Sequence, residues 1–408
     1  MFNRIDRRLF TILMIVFVQM VGASMIWPIL PLYARNEFEI SESAATLLFT
    51  SFFAAQFLGG PVLGRLSDIH GRLPVLIISQ IGTVISFVLM AVAPSVGWLF
   101  FSRVLDGITG GNIIVAQAYI ADITPPKRRT EAFGYVFAAF GAAFMIGPAV
   151  GGILTSALGP RMPFLIASVA AALTVLLTWL ALDESVTAEQ RAANRIRSTA
   201  SIQPRQIIRN VPLVLVMIVG FGIQFSSMLF FSTFAFFGED VLFRGFDPQQ
   251  TSLGIGILIG FVGLGQIMTQ FLVLKRLLRR LIEGKIVIIG TLAYGCALLI
   301  LMTVGSPWLA APVMALLAIG SGIANPSLQS LATGTVDDEL RGGVLGVLQS
   351  SSSLAMIAGT ALAGSLFAVS ARFPMIIGGV VSLLLVLPAL YLQRNQMRRK
   401  LTADVPVV

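Results

Sequence analysis

The sequence contains twelve apolar runs of about 20 residues or more, the length that an α-helix needs to cross a bilayer. Only 12% of the 408 residues are charged, whereas soluble domains carry about 25%. Because lipid offers no partner to an unpaired backbone amide, each run is expected to be helical. The predicted spans are Leu9–Leu32, Ser43–Leu63, Pro74–Val92, Gly97–Ile120, Ala132–Ala157, Pro163–Leu182, Leu213–Phe237, Thr251–Leu274, Ile286–Val304, Pro307–Thr333, Val344–Val369 and Phe373–Leu392.

The basic residues are distributed unevenly between the two sides of these spans. Of the 28 Lys and Arg residues, 23 lie at the termini and the even-to-odd connections, and only four lie at the opposite connections. Cytoplasmic connections carry an excess of Lys and Arg. The pattern therefore predicts a multi-pass protein of the cell membrane with both termini in the cytoplasm, and it explains the net charge of +9 without a nucleic-acid partner.

The longest and most polar connection divides the chain into two similar halves. We expect an N-terminal six-helix bundle at 1–182, a cytoplasmic linker at 183–210 and a C-terminal six-helix bundle at 211–408. Gly107 and Asn112 recur as Gly320 and Asn325, 213 residues later. A near-constant offset of about half the length indicates a duplicated unit, which is common in secondary transporters.

The composition also excludes several functions. A single cysteine, Cys296, and a single histidine, His70, cannot form a disulfide or a thiolate or imidazole metal site within one chain. No nucleophile–base set is evident, so we expect neither an enzyme nor a cofactor. We expect a monomer. Lys275–Glu283 places Leu and Ile on one face and cations on the other, which predicts an interfacial helix that contacts membrane lipid.

Arg103 and Asp106 are charged residues within predicted span 4. Their spacing of three places both on one helical face. Charges at bilayer depth are costly and are usually retained for function or paired. Burial favours the neutral form of a carboxyl and a neighbouring guanidinium favours the charged form, so a conformational change can move a proton. A proton-coupling site is one interpretation; a fixed structural ion pair is the other.

Four sequence strings resemble signatures of the major facilitator superfamily. Gly64–Pro74 (GRLSDIHGRLP) resembles its loop signature, and Arg103–Gly111 resembles its span-4 arginine motif. Tyr119–Thr124, followed by Arg129, and Trp27–Pro31 resemble segments of its twelve-span drug/proton antiporters, above all the tetracycline/proton antiporters. The resemblance implies the major facilitator fold. It also implies a conformational switch formed by Gly64, Asp68, Gly71, Arg72, Asp122 and Arg129, in which Asp68 faces Arg103 or the start of span 11; the other interpretation is a charged turn.

The fifth span carries a string of small residues around a proline. Gly147, Pro148, Gly151 and Gly152 resemble the antiporter motif of that group, which implies packing of span 5 against span 8 and a bias toward export. Small residues allow close helix approach and proline bends a helix. Ordinary helix packing is the alternative interpretation.

Neutral amides are the remaining polar groups within the spans. Gln19, Asn112, Gln224, Asn325 and Gln329 are candidates to line a solute cavity, and interhelical hydrogen bonding is the alternative. The tetracycline antiporters carry acids in spans 1 and 3 where this chain has Gln19 and Ser86. The resemblance therefore does not extend to tetracycline as the solute.

The expected function is proton-coupled antiport of hydrophobic or amphipathic drug-like compounds by alternating access. Its partners are then a small solute, protons and membrane lipid. An uncoupled facilitator or a lipid or glycolipid carrier of the same fold is the first alternative, because the interior is neutral and rich in glutamine. A transport-dead receptor or scaffold is an alternative of another class.

Overall fold

The structure, a computed structural model, describes residues 7–110, 112–125, 128–187, 189, 191, 209–333 and 341–403. Within this part of the chain, twelve helices are long and apolar enough to cross a membrane, which confirms the predicted all-α fold class. The spans, numbered 1 to 12, are Arg7–Phe38, Glu42–His70, Arg72–Ala91, Val96–Ile123, Ala132–Leu158, Met162–Ala181, Val211–Leu242, Pro248–Leu278, Glu283–Leu301, Pro307–Ala332, Gly346–Val369 and Phe373–Arg394.

Span 4 is two helices rather than the single predicted one. Val96–Thr109 ends at Gly110, and a second helix runs over Asn112–Ile123. Glycine has the least intrinsic helix preference apart from proline, and two glycines stand together in the sequence at this point. Side chains of neighbouring spans donate to the carbonyl groups of Thr109 and Gly110 at this point, as described below.

Span 8 ends with a change of helix type. A π-helix at Thr269–Leu274 follows the α-helix, and one further α-turn covers Lys275–Leu278 before the chain turns toward span 9 at Glu283. The predicted interfacial helix over Lys275–Glu283 is therefore wrong in its extent, because the helix covers only Lys275–Leu278, whereas its contact with lipid stays a prediction. The first helical turn of this segment, Lys275–Leu278, continues the helix of span 8.

The described chain forms two compact units, while the predicted division into 1–182, 183–210 and 211–408 stays a prediction. The first comprises residues 1–199 and 234–264, and the second comprises 200–233 and 265–408. In the first unit span 1 packs on span 5, span 2 on span 4, and span 3 on span 6. In the second, span 9 packs on spans 10 and 12. Residues 234–264 belong to the first unit because glycines of span 8 lie against the backbone of span 5.

Candidate functional site

The Arg103–Asp106 pair lies buried in span 4. Arg103 Nη1 is 2.6 Å from Asp106 Oδ2, and the two side chains are only 5% and 7% exposed. The Arg103 guanidinium also lies 4.2 Å from the centre of the Phe52 ring in span 2, a cation–π contact. Arg103 Nε has no hydrogen-bond partner among the described residues. Sequence spacing predicted the pairing, whereas nothing local in the sequence indicated Phe52.

Two side chains from neighbouring spans bind the carbonyls at the break in span 4. Ser79 of span 3 donates to the Thr109 carbonyl, and Gln56 Nε2 of span 2 donates to the Gly110 carbonyl at 3.3 Å. The Gly110 amide donates to the Asp106 carbonyl at 2.6 Å. The ion pair therefore lies one turn from a break whose backbone is held by side chains of other spans.

Gly107 permits the close approach of spans 2 and 4 beside this pair. A Cβ atom there would lie 2.7 Å from the Ala55 Cβ and would overlap the Phe52 carbonyl. Any larger residue would push span 2 away, and with it the Phe52 ring that covers Arg103. The glycine of the span-4 motif thus has a packing role.

Arg72 of span 3 forms ion pairs with span 2 and span 4, on the side of the protein where the N-terminus lies. Its Nη1 is 2.6 Å from Asp68, and its Nε is 2.9 Å from Asp122 Oδ2. Arg72 is buried, and its Nη1 also donates to Ser67 Oγ at 2.7 Å. This places three of the predicted switch residues together.

Two details concern the expected switch. Asp68 pairs with Arg72, and Arg103 pairs with Asp106. The resemblance implied that Asp68 faces Arg103 or the start of span 11 when the carrier is open outward, and that contact stays a prediction. Gly64 lies inside the helix of span 2, which continues to His70. The connection between spans 2 and 3 is therefore a single residue and not the predicted loop over Gly64–Pro74. That residue is Gly71, whose φ of +107° lies in a region that favours glycine.

The Glu184 carboxylate covers the Gly71 turn. Its Oε1 accepts from the Arg72 amide at 2.9 Å, and a Cβ on Gly71 would overlap the carboxylate. Glu184 follows span 6, and sequence reasoning missed it. Arg129 begins the helix that contains span 5, but its side chain lies outside the described residues.

The glycines of span 5 face two different helices. At Gly151 a Cβ would lie 2.9 Å from the Met25 carbonyl of span 1, and at Gly147 it would overlap Ser24 of the same span. At Gly152 it would lie 2.7 Å from the Ser252 carbonyl of span 8. The Pro148 carbonyl in turn contacts Gly256 of span 8. The motif therefore packs span 5 against span 1 as well as against span 8, which the resemblance did not indicate.

The five candidate cavity amides have different environments. Gln19 is buried in span 1, and Asn112, 1% exposed, donates to Thr83 Oγ1 at 3.4 Å. Gln224 is half-buried, and Asn325 and Gln329 are exposed one turn apart on span 10. Asn112 and Asn325 occupy matched repeat positions but not matched environments. The geometry at Asn112 is that of interhelical hydrogen bonding.

A second charged cluster, which sequence reasoning missed, lies where span 1 ends. Arg35 Nη2 is 2.6 Å from Glu239 Oε2, and Nη1 is 3.0 Å from Asp240 Oδ2 and 3.4 Å from Glu42 Oε1. The guanidinium lies 4.9 Å from the Phe236 ring centre. The available signal was that Arg35 is one of only four basic residues predicted for the non-cytoplasmic side.

Known proteins similar to this chain are membrane transporters. The Major Facilitator Superfamily sequence model matches residues 12–282 and 234–406. The class C tetracycline resistance protein of Escherichia coli is 34% identical over 370 residues, covering 90% of this chain and 91% of that protein. Multidrug resistance protein 2 of Bacillus subtilis (strain 168) is 28% identical over 370 residues, covering 90% of each chain.

A solved structure has the same fold. A bacterial homolog of the human lysosomal transporter Spinster, in an inward-facing and occupied conformation, matches with a TM-score of 0.75 and 18% identity over 95% of this chain and 96% of that one. These findings define a multi-pass secondary transporter. The chain belongs to the Major Facilitator Superfamily, as the sequence motifs predicted.

Proposed function

We propose that this protein exports hydrophobic or amphipathic drug-like compounds across the cell membrane in exchange for protons, by alternating access. The names of its relatives, tetracycline and multidrug resistance proteins, support a drug-like solute. The 23-to-4 distribution of basic residues supports an orientation with both termini in the cytoplasm.

The observation that carries proton coupling is the burial of Asp106. Among the described residues, it is the only acid more than three residues from an end of its span. A proton on Asp106 would cancel its attraction for Arg103, whose remaining described contact is the Phe52 ring. The guanidinium would then need a new partner or water, which favours a rearrangement of span 4. The adjacent break at Gly110 is where the helix can bend.

The energetics of one proton are sufficient for export. At roughly 200 mV of proton-motive force, one proton supplies about 4–5 kcal/mol, on the order of a thousandfold solute gradient. A single titrating carboxyl can therefore drive the exchange.

The other candidate residues are assigned supporting roles in this proposal. The Arg72 cluster, with Asp68, Gly71 and Asp122, would hold the cytoplasmic ends of spans 2 to 4 together as one rigid element during the conformational change, and Arg129 would act with it. The exposed amides of Asn325 and Gln329 on span 10, together with Gln224, are the proposed solute contacts.

The test is solute-driven proton movement in proteoliposomes that contain a pH-sensitive dye, with the solute chosen by a growth-sensitivity screen in an efflux-deficient host. Asp106→Asn should abolish proton movement and gradient-driven transport, but retain solute counterflow, which needs no proton. Asp183→Asn is the control, because this carboxylate is 75% exposed and pairs with Arg8 at the surface. Full coupled transport by Asp106→Asn would exclude Asp106 from the mechanism.

An uncoupled facilitator or lipid carrier is the second candidate, favoured by the ion pair of Asp106 with Arg103 and the neutral amides of the interior. Wild-type transport that is unchanged when ionophores collapse both the pH gradient and the potential would select this candidate. In that case Arg103 and Asp106 form a fixed structural pair, and Asp106→Asn would lower stability rather than coupling.

A further inference from the structure

A pocket of about 260 Å³ lies within the first unit, at the end of span 1 that faces away from the N-terminal side. We call this side distal. Ile29 and Leu32 of span 1 and Ile255 of span 8 form apolar walls, and Tyr33, Thr155 and Glu239 contribute polar atoms. A small apolar cavity with a few convergent polar groups is the usual form of a ligand site.

Two hydroxyl groups of the pocket lack hydrogen-bond partners among the described residues. Tyr33 is 3% exposed, yet its hydroxyl is unpartnered, and the Thr155 Oγ1 atom is likewise buried without a partner. The Arg161 guanidinium interacts electrostatically with the Tyr33 hydroxyl without a hydrogen bond of ordinary geometry. Buried hydroxyls are normally bonded, so the Thr155 hydroxyl, and the Tyr33 hydroxyl beside Arg161, each retain an acceptor position for a ligand N–H group.

The charge around the pocket is negative, although the protein carries a net charge of +9. All six acids of the distal connections lie in the 1–2 and 7–8 connections, and the distal connections of the same unit contain only three basic residues, one of them in the 5–6 connection. The acids are Glu37, Glu39, Glu42, Glu239, Asp240 and Asp247, and the basic residues are Arg35, Arg161 and Arg244. Three acids crowd the single Arg35 guanidinium, so the Glu239 carboxylate is incompletely neutralised.

We propose that this pocket binds small amphipathic primary amines, with the ammonium group between Glu239 and the Tyr33 and Thr155 hydroxyls and the alkyl chain along Ile29, Leu32 and Ile255. A primary ammonium supplies positive charge at the acidic end of the pocket and N–H donors for the two unpartnered hydroxyls, although Glu239 already accepts from Arg35 at 2.6 Å and from Asn36 at 3.4 Å. A quaternary ammonium supplies only the charge, and an alcohol or an alkyl sulfate lacks the charge. The site does not depend on proton coupling or on Asp106.

Cysteine accessibility tests the site at a defined position. Both variants are made in a Cys296→Ser background. Ser156→Cys places a thiol in the pocket lining. Ser95→Cys, the control, places a thiol in the 3–4 connection, where the serine side chain makes no capping bond and no acids are near in sequence. In nanodiscs, cationic aminoethyl methanethiosulfonate should modify position 156 faster than the anionic sulfonatoethyl reagent. This ratio should exceed that at position 95 by about fivefold, the combined effect of one negative charge about 8 Å away in water, which attracts the cation and repels the anion.

Protection of the thiol at position 156 by added ligands then tests which chemical class of ligand the pocket binds. Octylammonium should slow modification at position 156 by about fivefold or more and leave position 95 unchanged, whereas octanol and octyl sulfate should protect neither. Tyr33→Phe, which retains the ring, should remove the preference for octylammonium over octyltrimethylammonium. Glu239→Gln, which leaves Arg35 paired with Asp240 and Glu42, should reduce both the charge preference and the protection.

Several results would overturn the proposal. These are a thiol at position 156 that neither reagent reaches, equal protection at positions 156 and 95, or equal protection by octanol and octylammonium. Failure of solute-driven proton movement with intact protection would reject the proposed function alone. Intact coupled transport without protection would reject this site alone.

Discussion

Gly152→Ala tests whether spans 5 and 8 pack at backbone contact. A Cβ at this position would lie 2.7 Å from the Ser252 carbonyl oxygen and 3.2 Å from Leu253 Cα, whereas ordinary contact begins at 3.4 Å. The helices must therefore separate by about 0.7 Å. Because the obstructing atoms belong to the backbone, no change of side-chain rotamer can make room.

The magnitude follows from two opposing effects. Overpacking of a close contact costs about 1–3 kcal/mol. Alanine favours a helix over glycine by about 1 kcal/mol, which offsets part of that cost. Gly134→Ala in the helix of span 5 is the matched control, because nothing lies within 4 Å of its added methyl group. The difference between the two variants therefore isolates the overlap, and we expect Gly152→Ala to be less stable than Gly134→Ala by about 1–3 kcal/mol.

The measurement is SDS-induced unfolding of the purified protein in mixed micelles, followed by circular dichroism. Gly134→Ala should be at least as stable as the wild type, and Gly152→Ala should unfold at lower SDS. Equal free energies of unfolding for the two variants would refute backbone contact between spans 5 and 8.

Local patterns predicted the parts of this protein that depend on local interactions. The twelve spans follow from apolar run length, because a lipid-embedded backbone must satisfy its own hydrogen bonds. The proximity of Arg103 and Asp106 follows from helical spacing alone. Gly110 was visible as part of a glycine pair, but only the structure shows the donors on spans 2 and 3 that stabilise a break there.

Contacts between distant segments could not be predicted from one sequence. Arg35 and Glu239 are about 200 residues apart, and no periodicity relates them. The repeat placed Asn112 and Asn325 at equivalent positions, but burial depends on which neighbouring helix covers each residue. The same reasoning explains why the span 5 glycines were assigned to one partner helix when they contact two.

Two further predictions concern polar contacts. Arg72→Ala should destabilise the protein by about 1–3 kcal/mol in SDS unfolding, because it leaves two half-buried carboxylates without their shared guanidinium, whereas Asp68→Asn should cost less than about 1 kcal/mol since the other ion pair remains. Equal losses would show that Arg72 does not connect the three spans. Ser79→Ala should cost about 1–3 kcal/mol and speed amide hydrogen exchange at the span 4 break, because the Thr109 carbonyl loses its donor there. Ser102→Ala is the control, since that hydroxyl bonds only within its own helix, to the Leu99 carbonyl. Faster exchange in Ser102→Ala than in Ser79→Ala would mean that the break is stabilised by span 4 itself and not by span 3.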